Sequence, residues 1–146
     1  MNNGNITIQD NILEGNGLGF DYGIEILNYS GTTMSNIQVL NNTISHADYA
    51  MDVSGYNGKT ITDVNFEGNK VTNYVAGAST YVVTGTATFA NIDFTHNWFG
   101  SAAGPSAVDM AIVFPFAPWC ADESCTTFLP DANGEISIPP SFTADE

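Results

Sequence analysis

The sequence predicts an all-β fold: a right-handed single-stranded parallel β-helix, a solenoid of about four to five coils over residues 1–119, followed by a C-terminal cap and linker-like tail over 120–146. Three observations predict it. A short segment that opens on Asn or Asp and closes on Asn recurs four times. Apolar and polar residues alternate inside each copy, the period of a strand with one buried face. The 146 residues are 43% hydrophobic and only 12% charged, enough apolar material for a core and too little charge for a disordered acidic chain.

The recurring segments are 5–11 (NITIQDN), 36–42 (NIQVLNN), 63–69 (DVNFEGN) and 91–97 (NIDFTHN), and their closing asparagines lie 31, 27 and 28 residues apart. Unequal spacing places the length variation in loops. Read as columns, Ile6/Ile37/Val64/Ile92, Ile8/Val39/Phe66/Phe94 and Leu13/Ile44/Val71/Phe99 are apolar and face inward, while Thr7/Gln38/Asn65/Asp93 face solvent. A second strand follows in each unit, at 22–26, 49–53, 81–83 and 108–112. Units of this size stack with each strand paired to its counterpart one coil away, about 4.8 Å distant. Asn11, Asn42, Asn69 and Asn97 then form an internal ladder, their amides bonding to one another and to turn backbone that would otherwise go unsatisfied.

At this point the chain resembles the parallel β-helix repeat proteins, the superfamily that includes pectate lyases, polygalacturonases and surface-layer proteins. The likeness spans residues 5 to about 119. Its most specific piece is 97–105 (NWFGSAAGP), similar to the Asn-Trp-Trp-Gly…Gly-Pro segment of the last coil in many secreted β-helix proteins, together with Ala117, Pro118 and Trp119, similar to the proline-tryptophan close that follows it. The resemblance implies that the last coil ends near Trp119. Beyond it, residues 131–134 read as a turn, 135–138 as a strand and 139–146 as tail. No cap precedes the first repeat, so a bare upper edge implies either coils cut from a longer β-helix or copies stacked end to end.

Composition narrows the partners. There are 2 Lys+Arg against 16 Asp+Glu, a net charge of −14, and no arginine, so nucleic acid and anionic membranes are excluded as partners. No run approaches the roughly 18 apolar residues of a membrane span, and Met1 is followed by Asn-Asn-Gly-Asn rather than a leader, so the chain reads as mature or excised. Cys120 and Cys125 bracket Asp122 and Glu123 and read as a local disulfide, which places the protein outside the cell or on its surface.

Lyases of the resembled superfamily use Arg or Lys as base with acidic calcium ligands. This sequence departs from that pattern, because Lys59 lies in a turn and Lys70 follows a ladder asparagine. The strongest carboxylate pair is Glu25 and Asp52, each three residues after a tyrosine, Tyr22 and Tyr49. Stacked, they approach the ~5 Å separation of a retaining glycosidase pair. With Asp48 and His46 nearby in sequence they are candidates for acid/base catalysis, and Glu25 and Asp52 for holding calcium; no other cofactor is implied. The next coil offers Thr84 at that column. Tyr22, Tyr49 and Tyr81 align at strand starts, where they stack as a ladder or form a platform for sugar rings. Thr84, Thr86 and Thr88 alternate along one strand, and His46 and His96 fall in different columns, which speaks against a shared metal site. The expected function is a non-catalytic extracellular module, structural or carbohydrate-contacting, with polysaccharide or other copies of itself as partner. The alternative is a polysaccharide-active enzyme, a lyase, hydrolase or epimerase, or a fragment of one.

Overall fold

The structure, a computed structural model, describes residues 2–16, 22–72, 81–105, 110–111 and 115–129. Among them every regular element is a strand. The first sheet is parallel and holds β1 (Asn2–Gln9), β4 (Thr33–Leu40), β7 (Thr60–Glu67) and β10 (Thr88–Asp93) in that spatial order. The second holds β2 (Ile12–Glu14), β5 (Thr43–Ser45) and β8 (Lys70–Thr72), extended by a parallel bridge from Lys70 to Trp98. The third holds β3 (Tyr22–Asn28), β6 (Tyr49–Gly55), β9 (Tyr81–Gly85) and β11 (Met110–Ala111). The chain visits the three sheets in the same order in each unit, and each strand pairs with its counterpart in the next, an arrangement compatible with a β-solenoid.

Each unit therefore has three strands where the sequence indicates at least two. The extra ones, β2, β5 and β8, span three residues each, too short to show a period of their own. The bends between strands come from asparagine-type residues in the left-handed region, which Asn and Asp tolerate better than other side chains. The opening residues Asn5, Asn36, Asp63 and Asn91 have φ of 60°, 55°, 57° and 52°, and the strand register skips each of them. The residue before each ladder asparagine does the same: Asp10, Asn41, Gly68 and His96 have φ of 58°, 55°, 67° and 58°. One kink mid-strand and one at its end recur in every unit, which is why the motif opens and closes as it does.

One core collects side chains from all three sheets, including Ile24, Val39, Ile44, Met51, Phe66, Val71 and Phe94. The Phe66 and Phe94 rings stack between neighbouring units at 4.6 Å, nearly parallel at 4°. The inward columns are buried from the second unit on, whereas Ile6 of the first, on the outer strand β1, is 38% exposed.

The ladder closes the corner between the first two sheets. Asn11 Nδ2 donates to Asn42 Oδ1 at 2.9 Å, Asn42 Nδ2 to Asn69 Oδ1 at 2.9 Å, and Asn69 Nδ2 to Asn97 Oδ1 at 2.9 Å. The same oxygens also accept the backbone N–H of the asparagine in the preceding unit. The second amide hydrogen reaches back to a strand carbonyl: Asn42 to Ile8, Asn69 to Val39 and Asn97 to Phe66.

The far end is built differently. β12 (Trp119–Cys120) pairs antiparallel with β13 (Phe128–Leu129), and Cys120 is disulfide-bonded to Cys125. Phe94 and His96 donate their backbone N–H groups to the carbonyls of Pro115 and Pro118. Trp119 lies against Gly104, where a Cβ would come within 2.6 Å of the indole, and its Nε1 donates to the Ala102 carbonyl at 3.2 Å. Only glycine fits beneath that ring, so the Gly-Pro segment and the proline-tryptophan close form one packed feature. Residues 131–146, with the strand expected at 135–138, lie outside the described residues.

Two expectations from the sequence are corrected by the register. Tyr81 pairs with Met51, not Tyr49, so it continues the Ile24/Met51 column and the tyrosine ladder has two members. Val82, not Thr84, follows Asp52, and Thr84 falls opposite Ser54. The link from β8 to β9 runs from Thr72 to Tyr81, longer than the link from Ser45 to Tyr49, so counting from a tyrosine loses the register. The threonine run is also divided, since Thr84 belongs to β9 and Thr88 to β10.

Candidate functional site

The outer face of the third sheet carries the most concentrated chemistry. On β3 the side chains of Ile24 and Ile26 enter the core, which turns Glu25 and Leu27 outward. On β6 Met51 and Val53 enter the core and turn Asp52 and Ser54 the same way. The register sets Glu25 directly opposite Asp52 and Leu27 opposite Ser54. A shallow groove of about 390 Å³ runs over this face, lined by Tyr22, Glu25, Leu27, Asp52, Ser54 and Tyr56 together with Gly55, Gly85 and Thr86.

Aromatic rings flank the carboxylates. Tyr22 and Tyr49 stack at 4.9 Å with planes 16° apart, and Tyr29 meets Tyr56 edge-on at 5.1 Å. Tyr22 is half-exposed and offers part of its ring to the groove. Its phenol is pushed above the ordinary value by burial and then by the nearby Asp52, Glu25 and Tyr49.

Asp52 is the unusual member. It is 4% exposed although it points away from the core, and its Oδ1 has no hydrogen-bond partner among the described residues. Burial pushes its carboxyl up to about 6, with the Glu25 charge acting in the same direction, while hydrogen bonds from the Ser54 hydroxyl and the Val53 amide pull it down. Ser54 Oγ also lies 3.5 Å from Glu25 Oε1 and so links the two carboxyl groups.

The remaining candidates lie apart from this pair. His46, in the turn after β5, has Nδ1 3.7 Å from Glu14 Oε1 at the edge of the second sheet, both side chains being open to solvent. Asp48 is buried in the turn before β6. His96 sits in the left-handed corner before Asn97, with Nδ1 3.0 Å from Thr95 Oγ1 and its ring edge-on to Phe128. Lys59 closes the turn begun by Tyr56, and Lys70 is a strand residue of the second sheet. Among the described residues no three His, Cys, Asp or Glu side chains converge to hold a metal ion.

Ser54, Tyr29 and Tyr56 were not singled out from the sequence. A signal was present, since Tyr29 and Tyr56 each fall seven residues after a member of the Tyr22/Tyr49 pair. Comparison with protein-family models, with curated proteins and with solved structures returns no match. The reading of the groove therefore rests on its own geometry.

Proposed function

We propose that the chain is a non-catalytic extracellular or cell-surface module that contacts carbohydrate through the groove on its third sheet. In this reading residues 1–119 are a right-handed parallel β-helix of about four to five coils, closed by 120–146 as cap and tail. The observation that carries the function is the convergence of Tyr22, Tyr56 and the Glu25/Asp52 pair on one groove. Sugar rings present an apolar C–H face and a rim of hydroxyls, which match tyrosine faces beside carboxylate acceptors. The Cys120–Cys125 disulfide supports an oxidising compartment. Among the described residues no helix is long and apolar enough to cross a membrane. Other copies of the chain are a second kind of partner in this reading, since in-register parallel pairing of like strands can extend from copy to copy as it does from unit to unit.

The test is binding of defined oligosaccharides by calorimetry, with Tyr22→Ala and Tyr56→Ala alongside the unmodified chain. Affinity lost in both variants, with melting temperature unchanged, is the expected result. Equal binding by all three removes the groove from the function.

A second reading, a glycoside hydrolase, is favoured by the pairing of Asp52 with Glu25 across adjacent strands, where burial and the Glu25 charge push the Asp52 carboxyl up to about 6, the pattern that separates proton donor from nucleophile. Release of reducing ends from a polysaccharide, lost in both Glu25→Gln and Asp52→Asn, would establish it. Calcium bound by Glu25 and Asp52 belongs to the same test, as turnover abolished by a chelator.

A further inference from the structure

We infer that the Glu25/Asp52 pair is a receptor for a primary ammonium group, and that the carbohydrate taken by the groove is an amino sugar carrying a free amine. The inference rests on the carbohydrate-contacting function proposed above and names its ligand class.

Three features of the groove point to a cation. Asp52 Oδ1 is a buried acceptor with no donor among the described residues, in a residue that is only 4% exposed and lines the groove. A buried carboxylate oxygen left unpaired is costly, so the site is incomplete without a donor from outside. Glu25 lies opposite on the next strand, so two carboxyl groups face one position with no Lys or Arg among the groove-lining residues to offset them. Tyr22 lines the same groove with its phenol near both carboxyl groups, and an ammonium over a tyrosine face gains a cation–π contact.

An ammonium answers all three. Its three N–H donors match in number the Asp52 carboxyl, the Glu25 carboxyl and the Ser54 hydroxyl that already links the pair, once the Asp52 side chain turns its buried oxygen toward the groove. A neutral N-acetylated sugar supplies a single amide N–H and no charge. A uronic acid brings a third carboxylate into a groove already holding two. Recognition of this kind selects against anionic polymers and prefers deacetylated ones.

The groups acting on Asp52 are Glu25 from β3 and Ser54 from β6, and its carboxylate acts in turn on the Tyr22 phenol; its register partner on β9 is Val82, which is not ionisable. Binding of a cation that keeps its own charge therefore strengthens as the Asp52 carboxyl loses its proton on going from pH 5 to pH 7.

The experiment is calorimetric titration of the full chain with three tetrasaccharides: β-1,4-linked glucosamine, its fully N-acetylated counterpart and tetragalacturonate. At pH 7 the glucosamine tetramer should bind about tenfold or more tightly than either of the others, the scale of one charge-assisted hydrogen bond. Asp52→Asn and Glu25→Gln should each remove that preference, and Asp63→Asn, at an exposed column where the other units carry Asn, should keep it. Glu25 is exposed, so Glu25→Gln tests the pair even if Asp52→Asn alters folding. Equal binding of the glucosamine and N-acetylated tetramers, lost in Tyr22→Ala, overturns the ammonium inference and leaves the carbohydrate function standing. Binding of no tetrasaccharide overturns both.

Discussion

Asn69→Ala tests the ladder at its centre. Asn69 is fully buried, and its side chain makes four hydrogen bonds: it accepts from Asn42 N and Asn42 Nδ2 and donates to the Val39 carbonyl and Asn97 Oδ1, all at 2.9 Å. Asn97 Oδ1 keeps the Asn69 backbone donor after truncation, so that acceptor survives. The Asn42 N–H and one Asn42 amide hydrogen are left unpaired in the interior, while the Val39 carbonyl stays within the β4–β7 ladder. At about 1–3 kcal/mol for the buried backbone group and about 1 kcal/mol for the amide hydrogen, the cost is about 2–4 kcal/mol. That is a large part of the about 5–15 kcal/mol by which a domain is held folded. Asn11→Ala is the internal control, because Asn11 is exposed and Asn42 Oδ1 retains the Asn11 backbone donor. Its cost should be about 0.5–1.5 kcal/mol. Urea unfolding followed by circular dichroism gives both differences from the midpoints. An Asn69→Ala cost below about 1 kcal/mol, or no greater than that of Asn11→Ala, would refute the view that the ladder satisfies buried backbone.

Phe66→Ala and Phe94→Ala should each lower stability by about 3–5 kcal/mol in denaturant melts, since both rings are fully buried; a neutral result would mean the inward columns are misassigned. Asp52→Asn should raise stability at neutral pH. The folded protein holds the Asp52 proton more tightly than the unfolded chain, so the stability it contributes is full below about 3.8 and is lost as pH rises through about 6. The amide should therefore gain up to about 3 kcal/mol at pH 7 and nothing at pH 3, and a pH-independent difference in melting would contradict the buried, raised carboxyl. Reducing Cys120–Cys125 removes a short loop constraint worth about 2 kcal/mol, and thermal melts with and without dithiothreitol should differ by that amount.

The parts of this architecture written into single columns were legible in the sequence. Ile37, Val39, Phe66 and Phe94 are buried as the alternation requires, and the closing asparagines are joined by hydrogen bonds, because in-register parallel pairing turns sequence columns directly into neighbours. Where link lengths vary, the correspondence fails. Tyr81 looks like the third member of a tyrosine column, yet the longer link before β9 places it opposite Met51. The burial of Asp52 was hidden for a related reason. Its neighbours Met51 and Val53 enter the core, which marks Asp52 as outward and hence solvated, and only the folded chain reveals that it is buried. His46 is close to Asp48 and Asp52 in sequence but turns at a left-handed residue toward Glu14, so proximity along the chain does not assemble the four residues into one site.

In-register stacking also makes like charges costly, because identical columns bring them face to face on adjacent strands. With 16 acidic residues the chain had many chances to incur that cost, and elsewhere among the described strand pairs it is avoided. Glu14 faces Ser45, Glu67 faces Leu40, Asp93 faces Asn65, and Asp63 accepts from Asn91. Among the described strand pairs, Glu25 and Asp52 alone set one carboxyl opposite another, and there the Asp is buried with an oxygen unpaired. A neutral residue in either place would relieve the strain, as it does in the other columns. Among the described registers the fold keeps its acids apart everywhere but there, and so concentrates its unmet electrostatic demand beside the stacked Tyr22 and Tyr49. That demand is what the proposed ammonium ligand would meet.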